Sequence, residues 1–418
     1  MADTVFLLSP LITRNFDKKT KKHFLCQYRL YTEFERSNEQ FHVFVQENIQ
    51  SGRIEKQDLA EFLFEDLLYG NQRLIYMYEL FSFNKDYQNQ IELMQRLQIY
   101  YPNIDTLDYN QILFQPYSDE IGDLVAVKVR LAINSTKVQK VILIFSDRCT
   151  ISNKDGQHGE FSYITVEVDF ANKLLFVKVK PKSRVNEEDQ KPMALAARYC
   201  EKVTRMLGLK FNDFKNLHRS TLCNMNIELY KQIYNRMVKT QPEKIDEFIR
   251  STADSIIGKV GIADYDIKVA ENNIFNIHDT LQKMVEHVLI SNILYESTIE
   301  GSLDDVDGFV TYIKFSDGTN ISARLRSEQF IEPIFASEAF MALRSSIENA
   351  KQISELKIYW LNRFSGLRVS YNAMDSQCLE ILLYKHHKKG EFDYAVSQYR
   401  ECEYRTIQQN SGILAMEA

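Results

Sequence analysis

The chain has 418 residues, 44% of them apolar and 26% charged, with a formal net charge of −6. At roughly 100–200 residues per domain this length supports a large core and excludes a disordered tail or a disulfide miniprotein. With only 14 Gly and 7 Pro, few positions are free to take positive φ. This argues against collagen, β-helix, propeller and Gly-rich phosphate-loop architectures.

A protein that coats nucleic acid with its whole surface would be basic, and this one has a pI of about 5.9. Any nucleic-acid site must therefore be a local patch. The six cysteines, Cys26, Cys149, Cys200, Cys223, Cys378 and Cys402, include no CxxC pair. That removes the common zinc ribbons and thioredoxin-type motifs, and points to reduced thiols. No window approaches the length of a membrane-spanning helix, and the opening residues lack a signal-peptide pattern. A soluble cytoplasmic protein is the expectation.

The chain divides into four stretches. Residues 1–115 read as a mostly helical N-terminal region that opens with a basic cluster, Lys18, Lys19, Lys21 and Lys22. Leu59, Phe62, Leu63 and Leu67 form one helical stripe. Leu74, Met77, Tyr78 and Phe81 form a second, and Pro102 closes the next helix. Residues 116–185 change period. The runs at 124–131, 138–145, 161–170 and 174–179 alternate and are β-branched, and polar turns separate them. They predict a four-stranded antiparallel meander.

Residues 186–300 return to helix. One helix runs from Pro192 to Gly208, and one ends at Gly258, with a capping-box spacing from Thr240. A third covers about 278–294. Residues 301–418 are a mixed α+β C-terminal region. There Asp317-Gly318 sits between alternating runs as a hairpin signal. A helix over about 337–353 and three short strands come next, and the last ten residues read as frayed. The fold class expected is α+β: helical segments flanking one or two antiparallel β-sheets.

Little complete catalytic machinery is visible. The chain has no GxxxxGK[ST], no GxGxxG and no GxSxG, so a nucleotide P-loop, a Rossmann site and a nucleophile elbow are excluded. Gly258-Lys259-Val260-Gly261 has the form of a backbone-clamping GxxG loop. The segment after it, from Ala263 to Lys268, looks extended, so a helix end and a tight turn suffice. His386-His387-Lys388-Lys389 reads as a surface loop before a helix, and Asp304, Asp305 and Asp307 as a solvated turn. His218 precedes Arg219-Ser220-Thr221 without any implied catalytic geometry.

Two constellations remain. Asp147, Glu167 and Asp169 lie near Lys178 and Lys180 and have the residue types of a Mg²⁺-dependent nuclease, but they lack its Glu/Asp-x-Lys spacing. Cross-strand pairing of an acidic strand with a basic one is the plainer account. Lys128 and Arg130 share one strand face; Lys178, Lys180 and Lys182 share another, extended by Arg184. Residues 118–185 carry eleven Lys/Arg against eight Asp/Glu, and residues 14–29 six against one.

These rows are the candidate nucleic-acid-binding face, with Tyr163 or Phe176 available for stacking. The alternative is a wet face whose lysines keep the sheet soluble. The expected function is a soluble intracellular binding or adaptor protein that engages nucleic acid or a protein partner and carries no cofactor. A nuclease, which alone would need Mg²⁺, and a structural subunit of a complex are the alternatives.

Overall fold

The structure is a computed structural model. It describes residues 8–13, 16–114, 123–153, 156–182, 185–214, 216–238, 242–260, 277–300, 306–316, 322–328, 332–361 and 366–416. The chain divides into two compact units, each drawing on several of the sequence stretches. Unit 1 comprises Met1–Asp213 and Gln377–Phe392; unit 2 comprises Phe214–Ser376 and Asp393–Ala418. Both join helices to antiparallel strands, so the α+β expectation holds.

Unit 1 begins with helices α1 (Pro10–Thr13), α2 (Lys18–Gln27), α3 (Tyr31–Ser37), α4 (Phe41–Gln50) and α5 (Lys56–Leu68). Asp17 caps α2, its carboxylate accepting from Thr20 N at 2.7 Å. The strands are β1 (Leu74–Ser82), β2 (Asp123–Leu131), β3 (Val138–Asn153), β4 (Gly156–Asp169), β5 (Leu174–Val179), β6 (Lys210–Phe211) and β11 (Leu379–Leu383). Their order is β2-β3-β4-β5-β1-β11, with β6 beside β1. The meander is as expected, although β3 and β4 run longer.

The helical stripe expected from Leu74 to Phe81 is instead strand β1. It pairs with β5 on one side and β11 on the other. Ile75, Tyr76, Met77 and Leu80 are all buried. A strand covered on both faces shows no alternation, so its apolar run matched a helical template by accident.

Helices α6 (Gln90–Tyr100) and α7 (Pro192–Leu207) belong to the same unit. Pro192 starts α7, where its missing N–H costs nothing, and Gly208 ends it at φ +58°. Leu195, Tyr199, Val203 and Met206 form its buried stripe and share a core with Val141, Leu143, Phe145, Ile164 and Val166. At about 1.5–3 kcal/mol per fully buried large apolar side chain, this stripe is what holds α7 to the sheet. The opposite sheet face lies against α5: Thr165 Oγ1 donates to Leu67 O at 2.6 Å.

Unit 2 holds α8 (Leu217–Val238), α9 (Pro242–Val260), α10 (Ile277–Glu300) and α11 (Glu338–Ala350). Its strands are β7 (Gly308–Ser316), β8 (Ser322–Arg326), β9 (Ile353–Trp360) and β10 (Leu367–Asn372), in the order β10-β9-β7-β8. The β7–β8 pair matches the hairpin expectation, but Asp317-Gly318 lies outside the described residues, as do Thr240, Gly261, Asp304 and Asp305. Gly258 does not end its helix, because α9 continues to Val260. The last helix, α12 (Lys389–Met416), also runs through most of the tail read as frayed.

Candidate functional site

The lysine row of β5 does not face water. Lys178 has no exposed side-chain surface, and its Nζ donates to Glu167 Oε2 at 2.8 Å. The same ammonium sits 3.9 Å from the Phe392 ring centroid and 4.6 Å from that of Tyr69. Lys182 is nearly buried and donates to Glu160 at 3.1 Å and to Phe161 O at 2.7 Å. Lys180 is half-buried; burial, then the charge of Lys182, pushes its ammonium pKa down.

Lys178 and Lys182 therefore lie beneath side chains that cover the sheet, and their charge is spent on the β4 carboxylates Glu167 and Glu160. Of the two stacking candidates, Tyr163 is 2% and Phe176 3% exposed. Lys128 is half-exposed, 4.0 Å from Asp108 and over the Phe64 ring. Arg130 is half-buried, and Arg184 lies outside the described residues.

The three carboxylates are not brought together. Asp147 pairs in register with Ser162, so by strand parity it shares the α7 face with Ile164 and Val166. There it accepts from Arg198 Nη1 at 2.9 Å and Tyr199 Oη at 3.1 Å. Glu167 and Asp169 point to the other face. Lys140 reaches both, at 2.9 Å and 2.8 Å. Burial alone would raise the Glu167 carboxyl; Lys178 and Lys140 outweigh it and hold the pKa at about 2. Among the described residues no group of three His, Cys, Asp or Glu side chains is arranged to hold a metal ion.

What the structure does bring together is the N-terminal basic cluster and the His-His-Lys-Lys segment. Helices α2 and α5 and residues 385–389 line a cavity of about 890 Å³ in unit 1. Lys19, Lys385, Lys388 and Lys389 form a basic, exposed wall, while Asp58, Glu61 and Glu65 of α5 form an acidic one. Tyr28, Phe62 and Tyr69 supply rings to its lining. Lys18 and Lys22 are also exposed on α2 and extend the positive surface.

The floor is buried and polar. Asp66 Oδ1 is 2.9 Å from His386 Nε2. That hydrogen bond, outweighing partial burial, raises the imidazole pKa of His386. Gly70 is required beside it, since a Cβ there would lie 2.4 Å from Asp66 Oδ1. His387 is 1% exposed, although its sequence context suggests a surface loop. Burial first, then the charges of Lys178, His386 and Arg73, keep its ring neutral. The sequence held both basic segments, but nothing in it linked one to the other.

Comparison of the chain with known protein families, with curated proteins and with solved structures finds no match. Any functional reading therefore rests on the residues themselves. No helix among the described residues is long and apolar enough to cross a membrane.

Proposed function

We propose that the protein binds single-stranded nucleic acid, and that the binding surface is the unit 1 cleft and not the lysine row of the sheet. The observation that carries this reading is that basic segments from opposite ends of the chain line one cavity with aromatic rings. Lys19, Lys385, Lys388 and Lys389 supply flexible ammonium groups for phosphates. Tyr28 and Phe62 are half-buried, offering ring faces to an unstacked base. The carboxylates of α5 are placed to accept from exocyclic amino groups, the role Asp and Glu play against cytosine. An acidic wall opposite a basic one suits a strand, which is negative along one edge and carries donors along the other.

Four phosphate contacts on a single strand predict a log–log salt slope of about −3. Fluorescence anisotropy with single- and double-stranded oligonucleotides, titrated over salt, tests this. The combined Lys385→Glu, Lys388→Glu, Lys389→Glu variant changes only exposed side chains. It should keep the fold, weaken binding by at least about tenfold and flatten the slope by about 2. Unchanged affinity in a folded variant rejects the cleft as the nucleic-acid surface.

A further inference from the structure

Two histidines line the cleft that strand binding does not use, His23 of α2 and His386. Their placement follows from how α2 and α5 pack. Thr20 Oγ1 of α2 donates to Asp66 Oδ1 of α5 at 3.3 Å, and the His23 ring lies 6.3 Å from that of Phe62 between centroids. His23 comes one turn after Thr20, and Phe62 one turn before Asp66, so the two helices run antiparallel here. His386 joins at the level of Asp66, with its Nε2 2.9 Å from Asp66 Oδ1. The two imidazoles therefore line one cavity about 5 Å, one helical turn, apart along the helix axes.

Their surroundings differ. A carboxylate bonded to one nitrogen of a histidine orients the ring and fixes its tautomer. Asp66 does this at Nε2 of His386, which leaves Nδ1 as the nitrogen that can serve an occupant of the cavity. The Asp66 hydrogen bond, against partial burial, and the charges of Asp66, Asp17 and Glu391 favour the protonated ring. A ring biased in this way is suited to give up a proton to a leaving group. His23 is exposed on α2 and exchanges protons freely with water. Lys19, also exposed, precedes His23 by one turn on the same face of α2 and lines the same cavity.

We infer that the cleft cleaves single-stranded RNA by transesterification at the ribose 2′-hydroxyl, with His23 as general base and His386 as general acid. This rests on the nucleic-acid reading and adds an activity to it. His23 takes the proton of the 2′-hydroxyl as that oxygen bonds to phosphorus. The bond from phosphorus to the 5′-oxygen breaks, and His386 Nδ1 gives its proton to the departing oxygen. The products are a 2′,3′-cyclic phosphate and a 5′-hydroxyl, and no further reactant enters. His23 then releases its proton to water and His386 regains one. In-line displacement sets the entering and leaving oxygens on opposite sides of phosphorus, so base and acid must flank the phosphate rather than adjoin each other. A separation of one helical turn meets that need. The Lys19 ammonium offsets the charge that builds on the non-bridging oxygens.

The test incubates the full chain with end-labelled oligouridylate in the presence of a chelator. Cleavage is read on a gel and the new ends by mass spectrometry, with oligothymidylate in parallel. The RNA should be cut to a 2′,3′-cyclic phosphate, or to the 3′-phosphate it hydrolyses to. The DNA, lacking the 2′-hydroxyl, should bind and stay whole. Single-turnover rates at saturating protein report chemistry rather than affinity, and His23→Gln and His386→Gln should each lower them at least about 100-fold.

Intact RNA under conditions where oligothymidylate binds overturns the activity and leaves strand binding standing. If neither strand binds, the nucleic-acid reading fails and the activity with it. Ends carrying 3′-hydroxyl and 5′-phosphate, or cleavage abolished by the chelator, overturn the two-histidine mechanism. Equal rates in wild type and both variants mark a co-purifying ribonuclease and reject the assignment. His23→Gln changes only an exposed side chain, so it decides the matter even if His386→Gln does not fold.

Discussion

Lys178→Met replaces a buried ammonium with a neutral chain of similar shape. It isolates the force that keeps charge under the cleft. In the native protein Lys178 and Glu167 are 0% and 3% exposed at the side chain and 2.8 Å apart. The Glu167 carboxyl is held at about 2, against an ordinary value of 4.5. That gap corresponds to about 3 kcal/mol of preference for the charged form, shared between Lys178 and Lys140. Removing one partner of a buried pair typically costs about 3–5 kcal/mol, because the other charge is stranded.

Since Lys140 remains 2.9 Å from Glu167, the lower end, about 3 kcal/mol, is expected. The sign of the pH dependence follows from the depressed carboxyl. Its contribution is complete above about 4.5 and disappears as pH falls toward about 2. In Lys178→Met the folded-state pKa rises, so this acid-dependent loss shrinks. The sole Trp, Trp360, lies in unit 2. The measurement is therefore hydrogen exchange of β4 and β5 amides such as Val166 and Val177. A loss below about 1 kcal/mol would refute the reasoning, as would a Glu167→Gln/Lys178→Met double variant no more stable than Lys178→Met alone.

In unit 2, burial followed by the charge of Arg400 lowers the His218 pKa to about 4 from 6.5. Its contribution, about 3 kcal/mol, is present above 6.5 and lost as pH falls toward about 4. Trp360 fluorescence in urea should show that slope, and His218→Gln should remove most of it. Gly70→Ala should drive a methyl into the Asp66 carboxylate and break its contact with His386. The His386 pKa then falls toward its ordinary value, read by imidazole NMR; an unchanged titration would show that the loop yields without disturbing the pair. His386 has a raised folded-state pKa, so the Asp66–His386 interaction contributes fully below about 6.5 and fades as pH rises through the folded value. Asp66→Asn should abolish that dependence in thermal melts of the wild-type background.

The meander, the Pro192–Gly208 helix and the β7–β8 pair were legible because each carries its signal locally. Alternation, a proline start and a glycine stop are written within a few residues. Strand β1 was not legible. Its neighbours β5 and β11 cover both edges and its side chains are buried on both faces, so the period that marks a strand was absent. The carboxylates show a finer failure. Asp147 and Glu167 lie close in sequence terms, but the β3–β4 register sets Asp147 against Ser162 and turns it to the opposite face. Only the pairing, which depends on where β3 ends, reveals the parity.

The two lysine populations show why residue type alone could not locate the site. In the sequence, Lys178, Lys180 and Lys182 form the more regular pattern, and regularity suggested a surface. Alternation fixes which side chains share a face; it carries no information about whether another layer covers that face. Here the rings of Tyr69 and Phe392 do cover it at Lys178, and Glu167 and Glu160 supply the compensating charge that burial of an ammonium demands. Lys19, Lys385, Lys388 and Lys389 have no such regular spacing. They remain exposed at the rim of a cavity, which is where a cation must stay to exchange its hydration for phosphate oxygens. Burial of Lys178 and Lys182 and exposure of the scattered lysines are why the proposed polyanion surface is the cleft and not the sheet.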